Sequence, residues 1–178
     1  MNRPLPGHLV SLLLLAASWS PIGSASAQAP TGRDRLLATA RTIATTARYA
    51  AFITVGADGA AQARTVDPLL ADTGFVVWVA TNPRTRKVAE LRRDPRVTLH
   101  WFDPAAAGYV TLKGIGRTVT DPKEVARRWK AEWAPFYPNR ARDLLLIEIQ
   151  PKSLEVVSPG HGVLGDSLTW RPPVVSFP

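Results

Sequence analysis

The sequence contains no cysteine, which excludes disulfides, thiolate metal sites, cysteine nucleophiles and CxxC redox chemistry. Acids are scarce, 14 Asp and Glu against 22 Lys and Arg, and there are only three histidines. No acidic pair or His cluster stands at metal-ligand spacing, so no metal site is expected, and no Gly-x-Ser-x-Gly elbow marks a serine hydrolase. No apolar run approaches the about 20 residues a membrane-spanning helix needs, and no internal repeat is present. What remains is a chain of 178 residues, 46% hydrophobic and 20% charged, enough for one domain with a buried core. The net charge of +8 points to an anionic partner: nucleic acid, an anionic membrane surface or a phosphorylated small molecule. Composition leaves all three open.

The first 27 residues read differently from the rest. Arg3 is their one charge, and a largely apolar run from Leu9 to Ala17 is followed by Pro21, Gly23 and the small residues Ala25, Ser26 and Ala27. This is the pattern of a Sec-type signal peptide over residues 1–27, cleaved before Gln28. No Arg-Arg pair precedes the run, so twin-arginine export lacks its motif. The expected mature protein carries a net charge of +7, works in the periplasm or as a secreted protein, and keeps no stable membrane anchor.

Beyond the leader, Leu36, Leu37, Ala40, Ile43, Ala44 and Ala47 fall on one face of a helix over about 34–48. The period then changes to that of strands. Residues 51–55 and 62–70 flank a Gly56-Ala-Asp-Gly59 turn, and Phe75 to Thr81 reads as a strand buried on both faces. Asn82 and Pro83 suit the cap and first position of a short helix stopped by Asp94-Pro95. Strands follow at 97–102 and 109–119, the latter bent at Gly114 and Gly116. Asp121-Pro122 opens a second helix with Val125, Trp129 and Trp133 on one face, and two strands are expected at 144–149 and 153–157, separated by Pro151. Strands joined mostly by hairpins, with helices inserted singly, predict an antiparallel barrel. Residues 159–178, with four Pro and three Gly, are expected as an extended C-terminal arm.

The chemistry concentrates at Thr81-Asn-Pro-Arg-Thr-Arg-Lys87. Cations at a helix N-terminus oppose the helix dipole, and a bound anion resolves the conflict. The first-turn N–H groups, the Thr85 hydroxyl and the cations Arg84, Arg86 and Lys87 would together make a phosphate site; the same cations suit a solvated basic face equally well. Arg64, in a strand, is a further cation able to aim at that helix start.

These segments also resemble a known family. Arg64-Thr-Val, Phe75-Val-Val-Trp-Val-Ala-Thr-Asn82, Thr85-Arg-Lys87, Asp94-Pro-Arg-Val-Thr-Leu99 and Tyr109-Val-Thr-Leu-Lys-Gly-Ile-Gly-Arg117 are similar in order and spacing to the motifs of the pyridoxamine 5′-phosphate oxidase-like, FMN-binding split-barrel family. The likeness implies a mainly β fold with α elements: a six-stranded antiparallel split barrel with flanking helices, spanning residues 28–158. It implies that Arg64, Arg86 and Lys87 bind the FMN phosphate, that Thr65, Val66, Ala80 and Thr81 line the flavin through their backbone, and that Thr85 replaces a Ser. Tyr109 falls where the oxidase has a cofactor-contacting Gln. Family members are homodimers with the flavin between subunits.

Asp67-Pro68-Leu69 replaces the oxidase's Leu-Leu-Lys, and its substrate-binding Arg-Leu-His-Asp-Arg motif is missing after Val157. Pyridoxine oxidation is therefore not expected, and the chain is closer to the short stress-protein-like branch, whose members bind FMN, related flavins, deazaflavins or haem. The expected function is FMN-dependent oxidoreduction of an unknown small molecule, with no catalytic residue assigned; the alternative is a flavin or haem carrier without turnover. His161 is the candidate haem ligand, His100 is structural, and Trp101 or Trp170 is a candidate stacking ring. A nucleic-acid binder is disfavoured, because the six cations between Arg84 and Arg96 are not interleaved with exposed aromatics.

Overall fold

The structure is a computed structural model that describes residues 32–71 and 73–178. The leader expected over 1–27 lies outside the described residues. Among those described, no helix is long and apolar enough to cross a membrane.

Helix α1 (Gly32–Ala47) buries Thr39, Ala40, Ile43 and Ala44, close to the face its spacing predicts. It is followed by Arg48 in the left-handed region, φ 59°, the conformation that often ends a helix. Strands β1 (Ala50–Val55) and β2 (Ala61–Val66) form a hairpin. Its turn needs Gly59, which sits at φ +80° where a side chain is strained.

The second strand ends earlier than expected. Residues 62–70 do not form one element: Pro68 has no N–H to give a ladder, and the chain breaks at Asp67-Pro68 before β3 (Leu69–Leu70), which pairs with β4 (Val77–Thr81) instead. The order continues with α2 (Arg86–Arg93), β5 (Arg96–Asp103), β6 (Gly108–Val119), α3 (Pro122–Arg127), a 3-10 turn at Ala131–Trp133, α4 (Arg140–Asp143) and β7 (Leu145–Val157). A second 3-10 turn at Pro159–His161 and β8 (Val174–Ser176) complete it. The helix expected after Asp121 stops before Trp129, so Trp129 and Trp133 do not share a helical face.

The strands make one antiparallel sheet in the order β2-β1-β5-β6-β7-β4-β3, with β8 on β7. Six strands have five residues or more, as expected; β3 and β8 are short additions. β2 and β3 stand at opposite ends of that order yet are joined by Asp67 and Pro68 alone, and three Cα steps reach at most about 11 Å. The sheet must therefore curl until its two ends approach. No pairing joins β2 to β3, so the result is a split barrel.

The two strands expected on either side of Pro151 are one long β7. Its first half pairs with β4 and its second with β8, while β6 runs along the whole length with a register break at Lys113/Gly114. Pro151 and the skipped Lys152 sit at that bulge, the place where a sheet tolerates a proline. The main core gathers Phe52, Leu99, Trp101, Leu112, Ile147, Ile149 and Leu154 with Ile43 of α1 and Val88 and Leu91 of α2. A smaller cluster of Trp78, Val119 and Leu146 lies beside Val125. Residues 159–178 hold the second 3-10 turn, a turn over 167–169 and the short β8, and they are packed on the domain. Val163 and Val175 are buried, and Arg33 and Arg35 of α1 donate to the carbonyls of Ser176 and His161.

Candidate functional site

A cleft of about 550 Å³ opens at the split. Thr65 and Val66 of β2 form one wall, Ala80 and Thr81 of β4 the facing one, and Thr85 and Lys87 close the end where α2 begins. Six of the nine residues expected at the site thus line one hollow.

The start of α2 differs from the expectation. Asn82 does not cap it and Pro83 is not its first residue. Asn82 Oδ1 accepts the Arg84 N–H at 2.9 Å, and its carbonyl accepts from both the N–H and the hydroxyl of Thr85. This side-chain turn uses residues 82–85 and delays the helix to Arg86, with Thr85 at its cap. Arg84 is left outside, 3.4 Å from Asp143. Lys87 Nζ donates to Thr81 Oγ1 at 2.9 Å, and Thr81 Oγ1 is 3.1 Å from Thr85 Oγ1. An ammonium and two hydroxyls therefore meet at one point. Burial, and after it the charge of Arg64, pushes the Lys87 ammonium below its ordinary pKa, so a bound anion would stabilise its charged form.

Arg64 and Arg86 do not line the cleft. Both turn to Glu90, which spacing did not single out. Arg64 Nη2 lies 2.7 Å from Glu90 Oε2, and Arg86 Nε lies 3.0 Å from Oε1. Thr54 donates to the same Oε2 and accepts from Arg64 Nη1. The Glu90 side chain is 5% exposed. Burial raises its pKa, but the hydrogen bonds from Thr54 and Arg64 and the charges of both arginines outweigh that and hold the carboxyl below the usual range. Glu90 follows Arg86 by four residues, the helical pairing distance, and that was the available sign.

At the other end, Arg48 and Lys130 each lie 3.2 Å from Asp67. Burial of Asp67 is outweighed by these two partners, and its carboxyl is held below the ordinary value. Opposite the strands, Trp133, Phe136 and Tyr137 make an aromatic wall, with Trp129 and Trp133 packed edge to face at 6.0 Å and Trp133 and Tyr137 at 6.5 Å. Burial raises the Tyr137 phenol pKa, so it remains an O–H donor at neutral pH. Trp133, expected on a helical face with Val125 and Trp129, lines the cleft together with Tyr137, while Trp129 packs against Trp133 without lining it.

Tyr109 is not at this cleft. It stacks on His100 with ring centroids 5.6 Å apart, and His100 Nδ1 is 2.9 Å from Thr111 Oγ1. Neither proposed stacking ring lines the cleft: Trp101 is buried in the core beneath α1, and Trp170 is 85% exposed on the C-terminal segment. His161 is on a turn, with Nδ1 2.7 Å from Ser158 Oγ. Among the described residues, no group of three or more His, Asp or Glu could hold a metal ion.

Comparison with known proteins agrees with this architecture. A family model described as pyridoxamine 5′-phosphate oxidase matches residues 36–158. A protein of Clostridium acetobutylicum related to general stress protein 26 of Bacillus subtilis superposes with a TM-score of 0.67 at 15% identity, over 82% of this chain and 96% of that one. A pyridoxamine 5′-phosphate oxidase-related, FMN-binding protein of Nostoc punctiforme gives 0.58 at 14% identity, over 80% and 93%. A haem-binding protein of Mycobacterium smegmatis gives 0.61 at 20% identity, over 83% of this chain and 58% of its own. No curated protein matches the sequence.

Proposed function

The chain belongs to the pyridoxamine 5′-phosphate oxidase family, and from that premise we propose that it binds FMN in the cleft at the split and uses it to oxidise or reduce a small molecule outside the cytoplasm. The observation that carries this reading is the meeting of Lys87, Thr81 and Thr85 at the closed end of a cleft whose far wall is aromatic. That donor set suits a phosphate, and about 550 Å³ falls within the ~300–1,000 Å³ of pockets that take compact ligands.

Lys87 and the two hydroxyls would hold the phosphate, with the backbone of Thr65, Val66 and Ala80 along the ring. When bound, FMN supplies reversible hydride and electron transfer. The protein's part is to orient the ring and exclude water: Trp133 and Tyr137 form the wall for this, and the Tyr137 hydroxyl keeps its proton for donation. Export rests on the leader pattern in residues 1–27. We further propose a homodimer, because β5 and β6 leave Phe102, Tyr109 and Ile115 partly or largely exposed on one chain. A second copy on that face would cover these side chains.

A carrier without turnover is the second reading. It is favoured by Glu90 and Asp67, both committed to ion pairs and so poorly placed to move a proton. Haem in place of flavin would use His161, whose Nδ1 is already engaged by Ser158. The visible spectrum of the purified protein separates flavin from haem, and repeated oxidation of a donor per bound flavin separates enzyme from carrier. Losing charged hydrogen bonds worth about 1.5–3 kcal/mol, Lys87→Met weakens FMN binding about 10–100-fold while riboflavin, which lacks the phosphate, is little affected. Absence of any flavin spectrum after reconstitution with FMN overturns the reading.

A further inference from the structure

Half of the eight exposed large apolar side chains among the described residues fall in one stretch near the C-terminus: Leu164, Leu168, Trp170 and Val174. That stretch is held in place. Val163 and Val175 are buried on either side of it, and a loop closes between them, with the Asp166 N–H donating to the Arg171 carbonyl and the Trp170 N–H to the Asp166 carbonyl. Inside the loop Asp166 Oδ1 accepts from the Leu168 N–H and from both the N–H and the hydroxyl of Thr169. Trp170 sits at φ 59°, a region that bulky residues seldom adopt. Leu168 and Trp170 therefore project from a fixed backbone, 88% and 85% exposed. Apolar side chains gathered in this way mark a surface of contact.

The flank of this tip is basic. Arg33 and Arg35 donate to the carbonyls of Ser176, His161 and Gly162, Lys152 donates to that of Pro178, and Arg171 belongs to the loop itself. The acids nearby are Asp34, Asp166, whose carboxylate is turned into its own loop, and Glu155, which pairs with Lys113.

We propose that the 164–171 loop is a peripheral docking tip for an anionic phospholipid bilayer, with Leu168 and Trp170 entering the headgroup boundary and Arg33, Arg35, Lys152 and Arg171 facing the lipid phosphates. Tryptophan suits that boundary because its ring has an apolar body and one N–H for the wet side. A basic rim adds attraction to anionic lipid. Of the three anionic partners that composition leaves open, this surface selects the membrane: one exposed ring among aliphatic neighbours offers a nucleic acid no run of stacking platforms. The docking is independent of what the cleft binds.

The test is co-sedimentation of the full chain with vesicles of phosphatidylcholine alone and of phosphatidylcholine mixed equally with phosphatidylglycerol, at about 0.1 M salt. Wild type is compared with the double variant Leu168→Ser, Trp170→Asn, since Asn accepts the left-handed backbone. All proteins carry the same N-terminus, checked by mass, so only the differences between them are read. Wild type should sediment with the mixed vesicles, and the double variant should bind them at least about tenfold more weakly, the scale of one large apolar side chain kept out of lipid. Arg171→Gln should weaken binding about fivefold, as loss of one cation beside an anionic surface does. Lys123→Gln, on α3 at the opposite end of the β6 and β7 pair, should change it by less than about twofold, because salt screens a charge over about 10 Å. Failure of wild type to sediment with the mixed vesicles overturns the proposal, and so does equal binding by the double variant. A change of oligomeric state in the double variant without lipid, with vesicle binding kept, assigns the tip to a second copy of this chain and also overturns it. If the double variant does not fold, the single charges decide, and matching effects of Arg171→Gln and Lys123→Gln refute the tip.

Discussion

Replacing Arg64 by Met separates a structural arginine from a ligand-binding one. In the folded protein Arg64 is 19% exposed and lies 2.7 Å from a Glu90 carboxylate that is 5% exposed. Removing one partner of a buried pair costs about 3–5 kcal/mol. Arg86 and Thr54 remain on Glu90, which places the expected loss at about 3 kcal/mol, the low end of that range. At ~2–4 °C per kcal/mol for a chain of this size, the melting temperature should fall by about 6–12 °C. The pH dependence carries a definite sign. In wild type the Glu90 pKa is depressed, so its contribution is present above the unfolded pKa and disappears as pH falls through the folded one. In Arg64→Met burial meets less opposition, the folded pKa rises, and the ionised carboxyl becomes the source of instability. The gap between the two proteins should therefore narrow as pH falls from 7 toward 4.5. Thermal melts followed by circular dichroism at both pH values measure this. Adding Glu90→Gln to Arg64→Met should recover at least half of the loss, since a neutral pair replaces an orphaned charge. A loss below about 1 kcal/mol at pH 7, the size of a surface pair, or a gap that does not narrow, would refute the buried-pair argument.

Other consequences are simpler to read. Gly114→Ala puts a Cβ 2.5 Å from the Gln150 carbonyl oxygen and 2.9 Å from Ile149 Cγ2, and because the nearer atom is backbone the strain should reach about 1–3 kcal/mol or more in urea unfolding; a neutral result would mean the bulge at Lys113/Gly114 relaxes freely. Hydrogen bonds from Arg96 hold the Asp94 carboxyl down at about 2, so its NMR titration should have its midpoint there. Arg96→Ala should return the midpoint to near the ordinary ~3.9 of an aspartate, and an unmoved midpoint would assign the depression to another cause.

Much of the architecture is legible in the chain because its causes are local. Gly59, the Asp94-Pro95 stop and Gly114 each act within a few residues, and they place the hairpin, the end of α2 and the bend of β6, whereas the break at Pro68 was not read and shows only in the pairing of β3 with β4. The helix start at 82–86 was misread for the same reason at finer scale: Asn82 can cap a helix or close its own turn, and here it bonds the Arg84 N–H. Trp129 and Trp133 were misread because a four-residue spacing describes one helical face, whereas the helix stops at Arg127 and Trp133 is left to line the cleft.

By itself the sequence determined most of the longer strands and helices in their order, the single-domain scale and the ordered motifs that identify the family. It also singled out the segment around Thr81–Lys87, since hydrophobic period, turn chemistry and motif spacing are all properties of nearby residues. Only the tertiary structure decided what the cations at that segment do. Arg64 and Glu90 are 26 residues apart in sequence and 2.7 Å apart in space, and two ends of the sheet meet across Asp67 and Pro68 to make the cleft. Electrostatic energy depends on distance through space and on burial, and neither is written in residue spacing. Composition counted Arg64, Arg86 and Lys87 as three equivalent charges, and the fold left one of them at the cleft.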